Sequence, residues 1–282
     1  MKVVILGSAQ DAGLPQLGCQ CINCSRADMD PGFRRLPACL GVIDELHQRA
    51  FLIDATPAIG EQLKRLRKFV SVTAALDTLG GILLTHAHLG HYPGLLYLGR
   101  EAAATRQLPV FASRRMADFL RANRPFSHLV ERGEIAIMEF AAGTPFPLWD
   151  GMQATAVEVP HRNEDADTHA FLLQEGNRTL FYMPDVDYWT PELVAQIGRC
   201  ETAVIDGTFF SKQDLPAARM ASVPHPPMEE SLVQLLLYKN RANIYFTHLN
   251  HNNPAADPNS PAHQHVRRAG FHIAAENQVI TV

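Results

Sequence analysis

Three histidines fall within six residues in Thr85-His86-Ala87-His88-Leu89-Gly90-His91, and little else in the chain limits its fold so tightly. Residues 81–84, Gly-Ile-Leu-Leu, form a short apolar run that reads as a buried strand. Residues 95–102 read as the opening of a helix, so the imidazoles sit on the turn that leaves a strand. Neutral imidazole is a common ligand for zinc and similar borderline metals. A turn held by a rigid strand aims His86 and His88 at one point and His91 at a neighbouring one. The plain alternative is a solvated loop that happens to be rich in histidine, and the other strand ends argue against it.

Four further apolar runs end in residues of the same kind. Residues 154–159 lead into Pro160-His161, and residues 178–183 into Pro184-Asp185. Residues 202–205 lead into Asp206-Gly207-Thr208, and residues 243–247 end at His248. In α/β sheets, ligands bind at the carboxyl ends of strands. His86, His88, His91, His161, Asp185 and His248 are therefore the candidate ligands of a metal centre. Weaker candidates surround them. His225, between Pro224 and Pro226, lines a loop after Asp206 as a substrate contact or catalytic acid, with a surface histidine as the blander reading. Arg162 suits an anionic substrate, against an exposed ion pair. His169 opens a strand. Asp11, in the loop at residues 7–13, lies near the metals or simply forms a turn.

A second cluster lies near the N-terminus, in Gly18-Cys19-Gln20-Cys21-Ile22-Asn23-Cys24. The C-x-C-x-x-C spacing packs three soft thiolates into one short loop, which suits tetrahedral zinc and requires a fourth ligand. A redox C-x-x-C pair is the lesser alternative. Cys39, inside a strand pattern, reads as core.

With 282 residues, 46% of them hydrophobic, the chain can bury a large core as one α/β domain over residues 1–282. Strands followed by helices, twice over, divide it into two similar halves that meet near residues 130–150. A net charge of −4 leaves no basic footprint for nucleic acid. No apolar run is long enough to span a membrane. The chain opens directly on a strand-like Lys2-Val3-Val4-Ile5-Leu6, with no signal-peptide pattern. Five cysteines, three of them crowded together, fit reduced thiolates in a cytoplasmic protein better than a disulfide framework. Assembly stays open, a homodimer included.

The histidine stretch resembles the HxHxDH signature of the metallo-β-lactamase superfamily, with Gly90 where that family carries an aspartate. The resemblance implies an αββα four-layer sandwich. It also implies a first metal site at His86, His88 and His161, a second at His91 and His248, and Asp185 between them. The second site lacks the aspartate, so it binds metal more weakly or recruits another carboxylate, for which Asp11 is the nominee. The Cys19-Cys21-Cys24 loop, with His251 three residues after His248, resembles the cyclic-phosphate phosphodiesterase of phosphonate degradation. It implies a closed structural zinc held by Cys19, Cys21, Cys24 and His251. Gly7-Ser8-Ala9, Pro15-Gln16, residues 206–209 and residues 246–250 look like the pyrroloquinoline quinone biosynthesis protein B group. That group commonly lacks the full histidine motif, which here is mostly retained.

These features lead to a metal-dependent hydrolase. Zinc would be the structural ion, and zinc or manganese the ion of the active site. The substrate is a small molecule, a phosphodiester first and an ester or lactone second. His225 and Asp185 are the catalytic nominees, with Arg162, His169 and Asp11 as substrate contacts. Oxidative chemistry in redox-cofactor biosynthesis is one alternative. A metal carrier without turnover is another. Fold alone does not decide between them.

Overall fold

The computed structural model describes residues 1–70, 76, 79–216, 220 and 222–282. Two seven-stranded mixed sheets face each other, with helices on both outer faces. The first sheet contains β1 (Lys2–Gly7), β2 (Cys39–Asp44), β3 (Arg49–Ile53), β4 (Leu79–Leu83), β5 (Leu108–Ser113) and β6 (Ile135–Phe140) in chain order. The second contains β7 (Pro145–Trp149), β8 (Met152–Glu158), β9 (His169–Glu175), β10 (Arg178–Met183), β11 (Thr202–Asp206), β12 (Asn243–Thr247) and β13 (His272–Ile273). The last strand, β14 (Val279–Thr281), returns to the first sheet and pairs antiparallel with β1, Val3 opposite Ile280. This is the αββα sandwich that the resemblance implies.

The two sheets share one pattern. Counted from β14, the first sheet has three antiparallel pairings and then three parallel ones. Counted from β7, the second sheet repeats it. Parallel neighbours end on the same edge of a sheet. The residues that follow β3, β4, β10, β11 and β12 are thereby gathered together, and these carry the site.

Side-chain alternation along the strands makes three apolar layers. In β1, Val3 and Ile5 point into the space between the sheets, where they meet Leu40, Phe51, Phe171 and Tyr182. Val4 and Leu6 point outward under Ile59 and Leu66 of the helix Ile59–Leu66. The outer face of the second sheet is covered by Leu193 and Ile197 of the helix Pro191–Ile197, Met228 and Leu232 of the helix Met228–Gln234, and Val266 of the helix Pro261–Arg268. Hydroxyl side chains cap helix starts: Ser113 accepts from Met116 N and Thr190 from Leu193 N. No helix among the described residues is long and apolar enough to cross a membrane.

Several elements differ from the sequence reading. The segment after the histidines is a 3₁₀ helix, Pro93–Leu98, where a longer helix was expected. Gly94 N donates to Ala55 O at 2.8 Å, and a Cβ on Gly94 would lie 2.1 Å from Thr56 O. The turn is thus pressed against residues 55–56. The helix after Thr56-Pro57 begins at Ile59, and the Thr56 hydroxyl accepts from Ala58 N in the turn before it. Cys24 lies on a helix, Ile22–Met29, where a loop was expected. Residues 123–125 turn the chain between the helix Arg114–Ala122 and the helix Phe126–Glu131, and Phe126 packs on Tyr92 at 5.1 Å, buttressing the histidine turn. β7 has two prolines in five residues, which argues against a strand. It is tolerated because β7 is an edge strand, where a missing N–H costs no ladder bond.

Phe171 is fully buried between the sheets, edge-on to Phe140 at 5.6 Å. Phe171→Ala is expected to lower unfolding free energy by about 3–5 kcal/mol in urea titration. A loss under about 1 kcal/mol would show that this layer is not close-packed.

Candidate metal centre

Asp54 follows β3 with a left-handed backbone, φ 74°, an unusual conformation for a residue with a side chain. Its carboxylate is fully buried and accepts from Thr85 N at 2.9 Å, Thr85 Oγ1 at 2.9 Å and His91 Nδ1 at 2.7 Å. The Thr85 hydroxyl has one proton, and Asp54 receives it. Thr85 Oγ1 is then the acceptor for His86 Nδ1, 2.9 Å away. One carboxylate thereby sets the tautomer of two imidazoles, and both present a bare Nε2.

The same device recurs around the centre. His161 Nδ1 donates to Asp187 at 2.7 Å, and His248 Nδ1 to Thr208 Oγ1 at 2.9 Å. His248 also has positive φ, 59°. His225 Nδ1 donates to Asp206 at 2.6 Å, and Asp206 also accepts from Thr208 N and Val186 N. His88 is turned the other way. Its Nε2 faces Glu164 at 3.5 Å, and its Nδ1 lies 3.1 Å from His161 Nε2. With the other nitrogen of each ring acting as donor, two lone pairs face each other there.

The centre therefore holds buried polar atoms that no protein group satisfies. His86 Nε2, His91 Nε2, His248 Nε2 and Asp185 Oδ2 have no hydrogen-bond partner. His91 Nε2 and Asp185 Oδ2 are 3.3 Å apart but not aligned as a hydrogen bond. An unsatisfied buried polar group costs roughly 1–3 kcal/mol, so four in one place would be a heavy burden without a cation between them. Ligand atoms of His86, His88 and His161 lie within 4.8 Å of one another, as do those of Asp11, His91 and His248. Asp185 joins His86 and His91 in one such group and His225 and His248 in another, so it stands between the two sites. Tetrahedral zinc places neighbouring nitrogens about 3.3 Å apart, close to the 3.1 Å between His88 and His161. The residues fit a metal pair.

Asp11 answers the question that Gly90 raises. Its Oδ1 accepts from Gly90 N at 3.2 Å. A Cβ built on Gly90 would lie 2.7 Å from both Asp11 Cα and Asp11 Oδ1. The two positions compete for one space, and here the carboxylate arrives from the N-terminal loop. Asp11 was proposed both as a substrate contact and as a replacement ligand, and it stands with His91 and His248.

Cys19, Cys21 and Cys24 surround His251 Nδ1 at 3.4, 3.4 and 3.6 Å. A zinc ion with ordinary bond lengths puts sulfur and nitrogen ligands about 3.6 Å apart, so the four fit one closed tetrahedron. Cys21 N donates to Cys19 Sγ and Gln16 N to Cys24 Sγ, as suits thiolates. The cluster is tied to the catalytic edge. Ser8 O accepts from Leu249 N, and Gln10 N donates to Leu249 O.

Burial and neighbouring imidazoles hold His86 and His248 well below the usual histidine range, and His161 at about 2, so these rings stay neutral and ready to bind metal. Burial lowers His91 too, but Asp54 and Asp185 raise it to about 9. Burial pushes Asp185 up to about 7. A divalent cation placed between this carboxylate and the His91 ring would satisfy both. Burial drives the Cys24 thiol up to about 12, so zinc must displace its proton.

Two nominees stand apart from the clusters. His169 is buried, edge-on to Phe140 at 5.2 Å, and its backbone N donates to Thr85 O. It props the histidine turn from below, and among the described residues it joins no metal group. Arg162 is half-buried, its charge acts on His88 and His161, and its Nε is buried without a partner. Asp54 and Asp187 have no role in the sequence reading. The sign for Asp54 was present: like Asp206, it closes an apolar run.

Comparison with known proteins agrees with this architecture. A family model described as a β-lactamase superfamily domain matches residues 49–249. The chain is 26% identical to coenzyme PQQ synthesis protein B of Ruegeria pomeroyi and 28% identical to that of Methylobacterium radiotolerans, over all and 97% of both chains, respectively. Among solved structures, zinc-bound PqqB from Methylobacterium extorquens superposes with a TM-score of 0.85 at 22% identity, over the whole of both chains. A diphosphatase of the PhnP family gives 0.70 at 20% identity, over 99% of this chain and 97% of that one.

Calorimetric titration of metal-free protein is expected to resolve two unequal active-site affinities, because one site is three neutral imidazoles and the other depends on a loop aspartate. Asp11→Asn should weaken the looser site by at least roughly tenfold and spare the tighter one. Two equally tight sites, or indifference to the substitution, would reject this assignment. Cys21→Ser should cost one zinc by elemental analysis before it costs chemistry. Its melting temperature should fall by roughly 3–5 °C, the shift that about 2–3 kcal/mol produces in a domain of this size. Unchanged zinc content would remove the structural site.

Proposed function

Since this chain belongs to the β-lactamase superfamily, we propose that it is a metal-dependent hydrolase of a small phosphodiester or a related ester or lactone. The observation that carries the reading is the set of buried, unpartnered imidazole nitrogens and the Asp185 oxygen converging on one place. Bound there, metal ions supply hydroxide from water at neutral pH and polarise an acyl or phosphoryl oxygen. His86, His88 and His161 would hold one ion. His91, His248 and Asp11 would hold the other, with Asp185 shared.

The chain's own residues do the rest. Asp54, Asp187 and Thr208 fix ring orientation, so the ligand nitrogens need no rearrangement when a substrate arrives. His225 is buried, which lowers its pKa, but Asp206 beside it gives a net rise. Its Nε2 has no partner and lies on the Asp185 side of the centre. That suits an acid that hands a proton to a leaving oxygen. Arg162 offers a positive charge to an anionic group beside His88 and His161.

A second reading has its own support. The end-to-end similarity to coenzyme PQQ synthesis protein B favours a part in the synthesis of such a redox cofactor. Metal identity separates the two: zinc or manganese goes with hydrolysis, redox-active iron with oxidation of a precursor. Bis-p-nitrophenyl phosphate, lactones and nitrocefin, each tried with and without chelator, test the first. The expected result is phosphodiester cleavage that chelation abolishes and zinc or manganese restores. His225→Gln should then lower kcat by roughly 10²–10⁴-fold. No turnover of any substrate after metal reconstitution would leave a cofactor-synthesis role or a metal carrier without turnover.

A further inference from the structure

Next to the metal centre lies a cavity of about 550 Å³, whose described lining includes Tyr188, Trp189, Met220, Pro224 and Pro226. Small-molecule sites occupy roughly 300–1,000 Å³, so it is large enough for a substituent of several rings. Two residues belong to both cavity and centre. His225 lines the cavity, and its ring lies within ligand distance of Asp185 and His248. Asp187 lines it as well, and holds His161 Nδ1 at 2.7 Å. A molecule reacting at the metals would thus reach this cavity past His225 and Asp187.

The wall selects what enters. The indole N–H of Trp189 donates to Ser231 Oγ at 3.1 Å, which pins the ring and leaves its faces as its contribution. Lys212 is paired with Glu230, and Asp187 with His161. These polar groups are occupied, whereas the aromatic rings, Met220 and the prolines offer flat apolar contact. Prolines on both sides of His225 fix the local backbone, so the imidazole and the cavity wall keep their relative position. Stacking on such faces favours rings over flexible alkyl or hydrated groups.

We propose that this cavity is a subsite for an aromatic substituent of the substrate, so that the protein acts on an aryl-bearing phosphodiester or ester. The identity of the bond cut rests on the hydrolytic reading above, but the binding of the ring does not. The test uses the zinc-loaded protein and calorimetry with methylphosphonate, phenylphosphonate and 1-naphthylmethylphosphonate, whose C–P bonds resist hydrolysis, together with neutral 2-naphthol. Affinity should rise at least about tenfold from the methyl to the naphthyl compound. Trp189→Ala should remove that gain and leave methylphosphonate binding unchanged, and Trp189→Phe should keep most of it. The melting temperature of each variant checks that it is folded. A flat series in the unaltered protein, or a gain that survives Trp189→Ala, overturns the proposal. If no phosphonate binds but naphthol does, in a Trp189-dependent way, the subsite stands and the hydrolytic reading falls. If bis-p-nitrophenyl phosphate is cleaved while neither naphthol nor an aryl gain is seen, the reverse holds.

Discussion

Everything at the centre depends on the hydrogen bond that each buried imidazole donates from its outer nitrogen. Asp54 takes one from His91 and, through Thr85, governs His86. Asp187 takes one from His161, and Thr208 one from His248. These bonds fix which nitrogen carries the proton, and so which lone pair faces inward. They also fix each ring's plane, which is what a metal site needs before any metal arrives. The unmet nitrogens that result are an energetic liability for the fold, and a cation bound among them would relieve it.

That arrangement needs the sheets as they are built. Apart from Thr85, which holds its neighbour His86, the group that fixes a ring comes from a different strand end than the ring itself. Asp54 follows β3 while His91 follows β4, and Thr208 follows β11 while His248 follows β12. Parallel pairing of β3 with β4 and of β11 with β12 brings those ends side by side. An antiparallel connection would have put the partners on opposite edges. Asp54 and His248 both adopt left-handed backbone conformations at these ends, strain that the packed sheets below them sustain.

The N-terminal loop closes the site from outside this framework. It brings Asp11 to Gly90 and carries the three thiolates to His251. Glu276 and the half-buried Arg35 hold its base through Ser8, whose carbonyl in turn accepts from Leu249 N beside His248. A zinc in the cysteine cluster would thus stabilise a loop that supplies an active-site carboxylate. Ions held in the two clusters would be mechanically linked, although the clusters share no residue.

The ligand residues were legible because each is a local event: an apolar run, a turn, a histidine or an aspartate. The same was true of the cysteine spacing. Asp54 and Asp187 were not legible as site residues, since their meaning lies in partners 37 and 26 positions away. Gly90 announced a missing carboxylate, but its replacement from 79 residues earlier was only a nomination until the backbone showed both competing for one space. His169 had the right residue type at a strand start, yet strand register turned it into the core. The sequence by itself determined which side chains can bind metal and which strand ends present them, because those follow from short-range pattern. Only the tertiary structure decided which nitrogen each ring offers and which candidate ligands come close enough to share an ion. It also decided that an apolar cavity opens beside them, because long-range parallel pairing and packing set those relations.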